Sequence, residues 1–341
     1  MKQFILLILM AQITIAAKAQ VTTRPINYKG WENAIELTNK QIRVVVVPQI
    51  GRIMHFSYLG KENLLYENTA MQGRVFSAEH PYKVDGELAH ANFGGDRIWP
   101  TAQDAFVTLN GNRSLSDPWI DGSPWEYELL KNGVQITSRV SDYIGTKVTR
   151  TITLEETEAT VNIKQSMIKM KAGNQKSLEP IPVTIWNLSK IKNPLAGLLP
   201  LSKNSIFKNS IEFQRWPDNI NSASENYSQH DNVGQLIPAS GLFQKMGTDS
   251  KGWVAGLFND LVFGQFFSFN PRESYPDGGT SATIFTCTDF TELECLSPEK
   301  KLKVGESIEF DLQWKLHKIN AETFSDKRAE AVKWLEQHWK Q

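Results

Sequence analysis

The sequence predicts an all-β protein with long antiparallel strands and one short C-terminal helix. Apolar and polar residues alternate through most of the 341-residue chain, polar or Pro/Gly turns separate the alternating runs, and a helical period recurs convincingly only at the end.

The elements follow in order. NAIELTN and the two halves of IRVVVVPQIGRIMHFSYLG read as three strands, the latter two hinged at Pro48-Gln49-Ile50-Gly51. KVTRTITLEETEATVNIKQSMIKM reads as a hairpin with EETE as its turn, and GVQITSRVSDY, WVAGLFND and ATIFTCTDFTELECL supply further β segments. SIEFDLQWKLHKI sets Ile308, Phe310, Leu312, Trp314 and Leu316 on one face of a strand, opposite Glu309, Asp311, Gln313, Lys315 and His317. The closing helix is capped by Ser325, with Ala331, Leu335, Trp339 and Val332 packing on the outside of a sheet. Between about residues 193 and 245 the chain is rich in Asn, Ser, Pro and Gly and reads as long binding loops or lids. No linker or internal repeat divides residues 20–341, which read as one domain.

Residues 1–19 have the pattern of a secretory signal peptide: Lys2, an apolar run from Phe4 to Met10, and Ala17-Lys18-Ala19 ahead of Gln20. Cleavage predicts a periplasmic or secreted protein with no membrane insertion afterwards. The formal charge of zero becomes about −2 once Lys2 and Lys18 leave without any acid. Nucleic acid is therefore not an expected partner. Cys287 and Cys295 are the two cysteines; eight residues of one strand would set them roughly 27 Å apart. Only a hairpin between them permits a bridge, and two separate buried thiols are expected.

The chain lacks H-E-x-x-H, C-x-x-C, G-x-x-x-x-G-K-[ST] and G-x-S-x-G. His55, His80, His90, His230, His317 and His338 show no ligand spacing. No metal site and no cofactor are expected.

Two segments carry candidate chemistry. In FTELECLSP, residues 290–298, an extended backbone puts Glu292 and Glu294 on one face beside Phe290, with Leu293 and Cys295 opposite. Paired carboxyls of this kind repel, and partial burial raises at least one pKa, which suits a general base or a grip on sugar hydroxyls. A solvated acidic face is the plainer alternative. In HANFGGDRIWP, residues 90–100, a glycine pair precedes Asp96, Arg97 and Trp99, an acceptor, a forked cation and a flat apolar face suited to a polar ring-shaped ligand. A tight surface turn would look similar. Tyr275 and Asp277 in ESYPDGGTSA lie one strand length ahead of the glutamates. Ten tryptophans favour a carbohydrate reading. Core packing is the commoner role for any single one, but Trp99, Trp119, Trp125 and Trp216 have polar or Pro/Gly neighbours, whereas Trp314 belongs to an apolar face.

Taken together, NAIELTNKQIRVVVVPQIGRIMHFSYLGKENLLYE, NFGGDRIWP, IWNL, YPDGG and FTELECLSP, spread in order over about residues 33–316, resemble the galactose mutarotase (aldose 1-epimerase) superfamily, most closely a group of secreted bacterial proteins within it. The resemblance implies a β-supersandwich whose concave sheet face binds carbohydrate. It implies that residues 92–100 border the pocket, the glycines letting backbone approach a sugar while Asn92, Asp96, Arg97 and Trp99 contact it. Tyr275 and Asp277 are expected at its rim. In mutarotases a glutamate takes the anomeric hydroxyl proton while a histidine protonates the ring oxygen. Glu292 or Glu294 matches the first role. Where the family's histidines stand, this chain has Phe93 and Val183, so His90, or His230, is the candidate substitute. The sequence therefore points to an extracytoplasmic carbohydrate-binding protein taking a monosaccharide or glycan end. The alternatives are an aldose 1-epimerase-like or other sugar-processing enzyme with altered catalytic residues, and a structural or partner-binding envelope protein.

Overall fold

The computed structural model describes residues 21–112, 115–174, 180–213, 226–249 and 251–339. The expected leader and Trp216 lie outside the described residues. Two large antiparallel sheets make up the framework. The first has ten strands in the order Thr22–Tyr28, Trp31–Thr38, Ile42–Val47, Arg52–Tyr58, Asp96–Trp99, Trp186–Ile191, Thr291–Leu296, Ala282–Thr286, Gln244–Thr248 and Glu212–Phe213. The second runs Tyr227–His230, Val233–Leu236, Ala196–Pro200, Trp253–Leu257, Leu261–Phe267, Leu312–Lys318, Thr160–Lys169, Thr146–Leu154, Gly133–Thr137 and Glu126–Leu130. Ser307–Glu309 pairs beside it on Thr160–Lys169, making eleven strands.

Residue periodicity accounts for both sheets. Thr146–Leu154 alternates strictly between buried and half-buried positions. Ile42–Val47 is apolar except for the half-buried Arg43, and both its faces are covered. Val44 and Val46 enter the core between the sheets, while Val45 and Val47 join a separate cluster with Trp31, Met54, Met71 and Phe93. The layers meet through Phe56 of the first sheet and Phe263 and Trp314 of the second, with ring centroids 5.1–5.4 Å apart.

Several expectations are corrected. The 308–316 alternation survives, but Phe310 and Asp311 break it into two strands. Within the segment expected to be loops, Ala196–Pro200 is a fully buried strand, since Ala196 and Leu198 pack on one side and Leu199 on the other. Cys287 and Cys295 are, as expected, free and buried. A hairpin does join their strands, but Ala282 lies opposite Cys295, so Cys287 is left at the far end. The closing helix is Phe324–His338, capped by the Thr323 hydroxyl rather than by Ser325, which falls inside the first turn. It lies on the second sheet through Ala331, Trp334 and Leu335. A helix that the pattern did not reveal, Gln103–Asn110, has no side-chain cap at its start; its Phe106 packs edge-on against Trp99 at 5.4 Å.

The glycine pair positions the strand Asp96–Trp99. Gly94 and Gly95 have φ values of +86° and +67°. A Cβ on Gly94 would lie 2.2 Å from the Tyr66 carbonyl oxygen, and one on Gly95 2.5 Å from that of Ile53. The close approach these glycines permit is therefore to the protein's own backbone, not to a ligand. Gly95 N–H donates to Tyr66 and its carbonyl accepts from Lys190 N–H, which seats the strand between its neighbours.

Two stability outcomes follow, both measured by chemical denaturation. Phe56→Ala should cost about 3–5 kcal/mol, because a cavity opens where the two sheets touch. Gly94→Ala should cost about 2–4 kcal/mol through positive-φ strain and backbone overlap. A loss below about 1 kcal/mol in either would contradict the corresponding packing account.

Candidate functional site

Five neighbouring strands of the first sheet, from Asp96–Trp99 to Gln244–Thr248, carry the site. In Asp96–Trp99 the two-residue period turns Arg97 and Trp99 to the side away from the second sheet, and Asp96 and Ile98 toward it. Leu188 is opposite both Arg97 and Glu294, and Lys190 is opposite Glu292. Phe285 faces Glu292 on one side and Lys245 on the other. These registers gather Arg97, Lys190, Lys245, Glu292 and Glu294 around one hollow of about 210 Å³. Trp99, Phe243, Phe285 and Phe290 give it apolar walls, and His90, Asn92 and Gln103 close its edge.

A single buried carboxylate holds the Arg97 side. Asp121 accepts from Arg52 at 2.5 Å, Arg97 at 3.0 Å, the Trp99 indole N–H at 3.1 Å and the Ser116 hydroxyl at 2.6 Å. Burial alone would raise its pKa, but Arg52 and Arg97 outweigh that and hold it well below the usual carboxylate range. Arg97 also donates to His90 Nε2 at 2.9 Å. Burial, with Arg97 and Lys190 nearby, keeps the His90 pKa far below its ordinary value. His90 is accordingly a neutral hydrogen-bonding group at neutral pH, not the cationic acid expected of it.

The other side is a graded set of charges. Lys245 lies 3.1 Å from Asp277 and 3.3 Å from Glu294. Burial opposes its charge, yet the two acids overcome this and raise its pKa, so it stays a cation. Glu294 also accepts from the Trp186 indole N–H at 3.1 Å. Burial, with Glu292 and Asp277 nearby, pushes its carboxyl up to about 7 despite Lys245. Lys190 donates to Asn92 Oδ1 at 2.8 Å, sits 3.5 Å from Glu292 and lies over the Phe290 ring at 4.2 Å. Burial pushes its pKa down to about 8, with Glu292 opposing and Arg97 assisting.

The structure thus brings Glu292, Glu294, His90, Asn92, Arg97 and Trp99 to one hollow. Three other expected residues lie elsewhere. Asp96 is fully buried on the opposite face, ion-paired with Arg150 and accepting from Asn187 and Ser189. Tyr275 lies tilted against Phe269 beside a different cavity, its hydroxyl accepting from Asn270 N–H. Asp277 acts at one remove, through Lys245. His230 is exposed on an edge strand with Ser228 as partner. Phe93 and Val183 are core residues. Trp125 packs on the Gly51 turn and donates to the Ile120 carbonyl, and Trp119 borders a neighbouring cavity. Lys190, Lys245 and Asp121 were not anticipated. The alternation of WNLSKI sets Lys190 on one face with Trp186 and Leu188, a usable signal, whereas the loop residue Asp121 had none.

No protein-family model matches the sequence, and no curated protein is detectably similar to it. Solved structures do match in shape. A candidate aldose 1-epimerase from Klebsiella pneumoniae superposes with a TM-score of 0.56 at 12% identity, over 93% of this chain and 87% of that one. A galactose mutarotase-like protein from Lactobacillus casei gives 0.51 at 11% identity, over 84% and 100%. Two packed antiparallel sheets, the strand arrangement around the hollow and these superpositions together identify the architecture: the chain has the galactose mutarotase-like fold.

Proposed function

We propose that the hollow binds a sugar ring outside the cytoplasm and catalyses aldose 1-epimerase-like proton transfer, with Glu294 as base and Lys190 as acid. The observation that carries this reading is the pairing of a carboxyl raised to about 7 with an ammonium lowered to about 8 at one partly apolar hollow. Groups with pKa values near the working pH give and retake protons most effectively. Glu294 takes the anomeric hydroxyl proton, Lys190 protonates the ring oxygen as the C1–O5 bond breaks, and closure from the other face reverses both transfers. Arg97, Asn92, Glu292 and His90 supply hydrogen bonds to hydroxyls, and Trp99 and the phenylalanines offer apolar faces to ring C–H groups. The mutarotase-like names of the structural neighbours agree with a sugar ligand.

Binding without turnover is the second reading. It is favoured by Phe93 and Val183, apolar core residues where the resemblance sets histidines.

Polarimetry on freshly dissolved aldoses separates the two. Catalysis requires ionised Glu294 and protonated Lys190, so activity should rise through about pH 7, fall through about pH 8 and peak between them. Glu294→Gln and Lys190→Gln should each lower the rate by about 10²–10⁴-fold, and the lysine variant should lose the alkaline limb. An interconversion rate unaffected by protein across a broad panel, with calorimetric binding intact, would leave binding alone. No binding at millimolar concentration removes the sugar reading.

A further inference from the structure

We propose that a second sugar residue, linked to the one in the charged hollow, occupies the aromatic cavity beside it, so that the ligand is the end of an oligosaccharide rather than a free monosaccharide. This inference rests on the sugar reading above and specifies its ligand. The neighbouring cavity has a volume of about 130 Å³, and His90 lines both spaces. Asp121 ties them mechanically, accepting from Arg97 and Trp99 of the hollow and from Ser116 of the cavity.

The cavity's composition differs from that of the hollow. Four aromatic rings border it, Phe76, Tyr82, Trp119 and Tyr143, and all four are half-buried rather than part of the core. They form two pairs, Trp119 edge-on to Tyr143 at 4.9 Å and Phe76 tilted against Tyr82 at 5.1 Å. Arg74 covers the second pair, 5.3 and 5.6 Å from its two rings. Small apolar residues such as Ala89, Leu115 and Pro118 share the wall with Ser77, Ser116 and Asn110, and among the described lining residues the charged one is Asp121, whose carboxylate already accepts from four donors. Aromatic faces set among neutral hydroxyl and amide groups suit a pyranose, which has a C–H face and a hydroxyl rim. His90, held by Arg97, lines both compartments, and a glycosidic link joining the two sugars would run along its imidazole.

Calorimetric titration with a panel of monosaccharides and the disaccharides that contain them tests the inference on wild type, Trp119→Ala and Tyr82→Ala. At least one disaccharide should bind about tenfold tighter than its parent monosaccharide. Either substitution should erase that gain and leave the monosaccharide affinity unchanged, with two variants available in case one misfolds. Disaccharides that bind no better than monosaccharides, or substitutions that weaken both ligands equally, would overturn the second subsite and leave the hollow's sugar reading standing. Absence of binding by either ligand class defeats both.

Discussion

The alternation of side chains along three adjoining strands is the constraint on which both the core and the hollow depend. Asp96–Trp99, Trp186–Ile191 and Thr291–Leu296 are locked in register by their ladders. One face presents Arg97, Lys190, Glu292 and Glu294 to the hollow. The other delivers Asp96 and Asn187 to Arg150 between the sheets, with the Ser189 hydroxyl donating to Asp96. A one-residue slip would exchange the faces. It would drive lysine and glutamate into the apolar interior and strand the Asp96–Arg150 pair, whose burial is tolerable only while its hydrogen bonds are made. Functional geometry and fold integrity are thus specified by one register.

Within the hollow, partner count decides what each charge does. Lys190 and Lys245 are both buried, yet their pKa values move in opposite directions. Lys245 has two acids within 3.3 Å. Lys190 has one at 3.5 Å, and Arg97 approaches that same carboxyl at 3.5 Å. Desolvation wins where pairing is thin and loses where it is doubled. The result is one fixed cation and one labile cation, either side of the paired glutamates.

Much of this was legible from the residues. Period two placed Glu292 and Glu294 together and Leu293 and Cys295 opposite, as observed. The same rule applied to DRIW shows that Asp96 and Arg97 cannot share a face, so including Asp96 among the ligand contacts conflicted with the strand it stands on. The glycine pair was recognised as permitting close approach, but a sequence cannot say to what, and the partners are Tyr66 and Ile53. Lys245 reaches the hollow only because Gln244–Thr248 pairs with Ala282–Thr286, a long-range register invisible to local pattern. Helix Gln103–Asn110 escaped because eight residues without a capping side chain resemble a loop.

The electrostatics also bear on why the acid in this reading is a lysine across the hollow rather than a histidine after Asn92. Position 93 is filled by a fully buried phenylalanine whose ring lies 5.1 Å under the Arg52 guanidinium. An imidazolium there would meet that guanidinium directly and lose the cation–π attraction that an aromatic ring provides. Asp121 offers no relief, since four donors already share its carboxylate. His90, three residues earlier, is held neutral first by burial and then by Arg97 beside it. A cationic acid is stable only where a carboxyl remains to balance it, and Glu292 provides that balance at Lys190. With Arg52 and Arg97 fixed on Asp121, the proposed proton donor, Lys190, lies beside the paired glutamates instead.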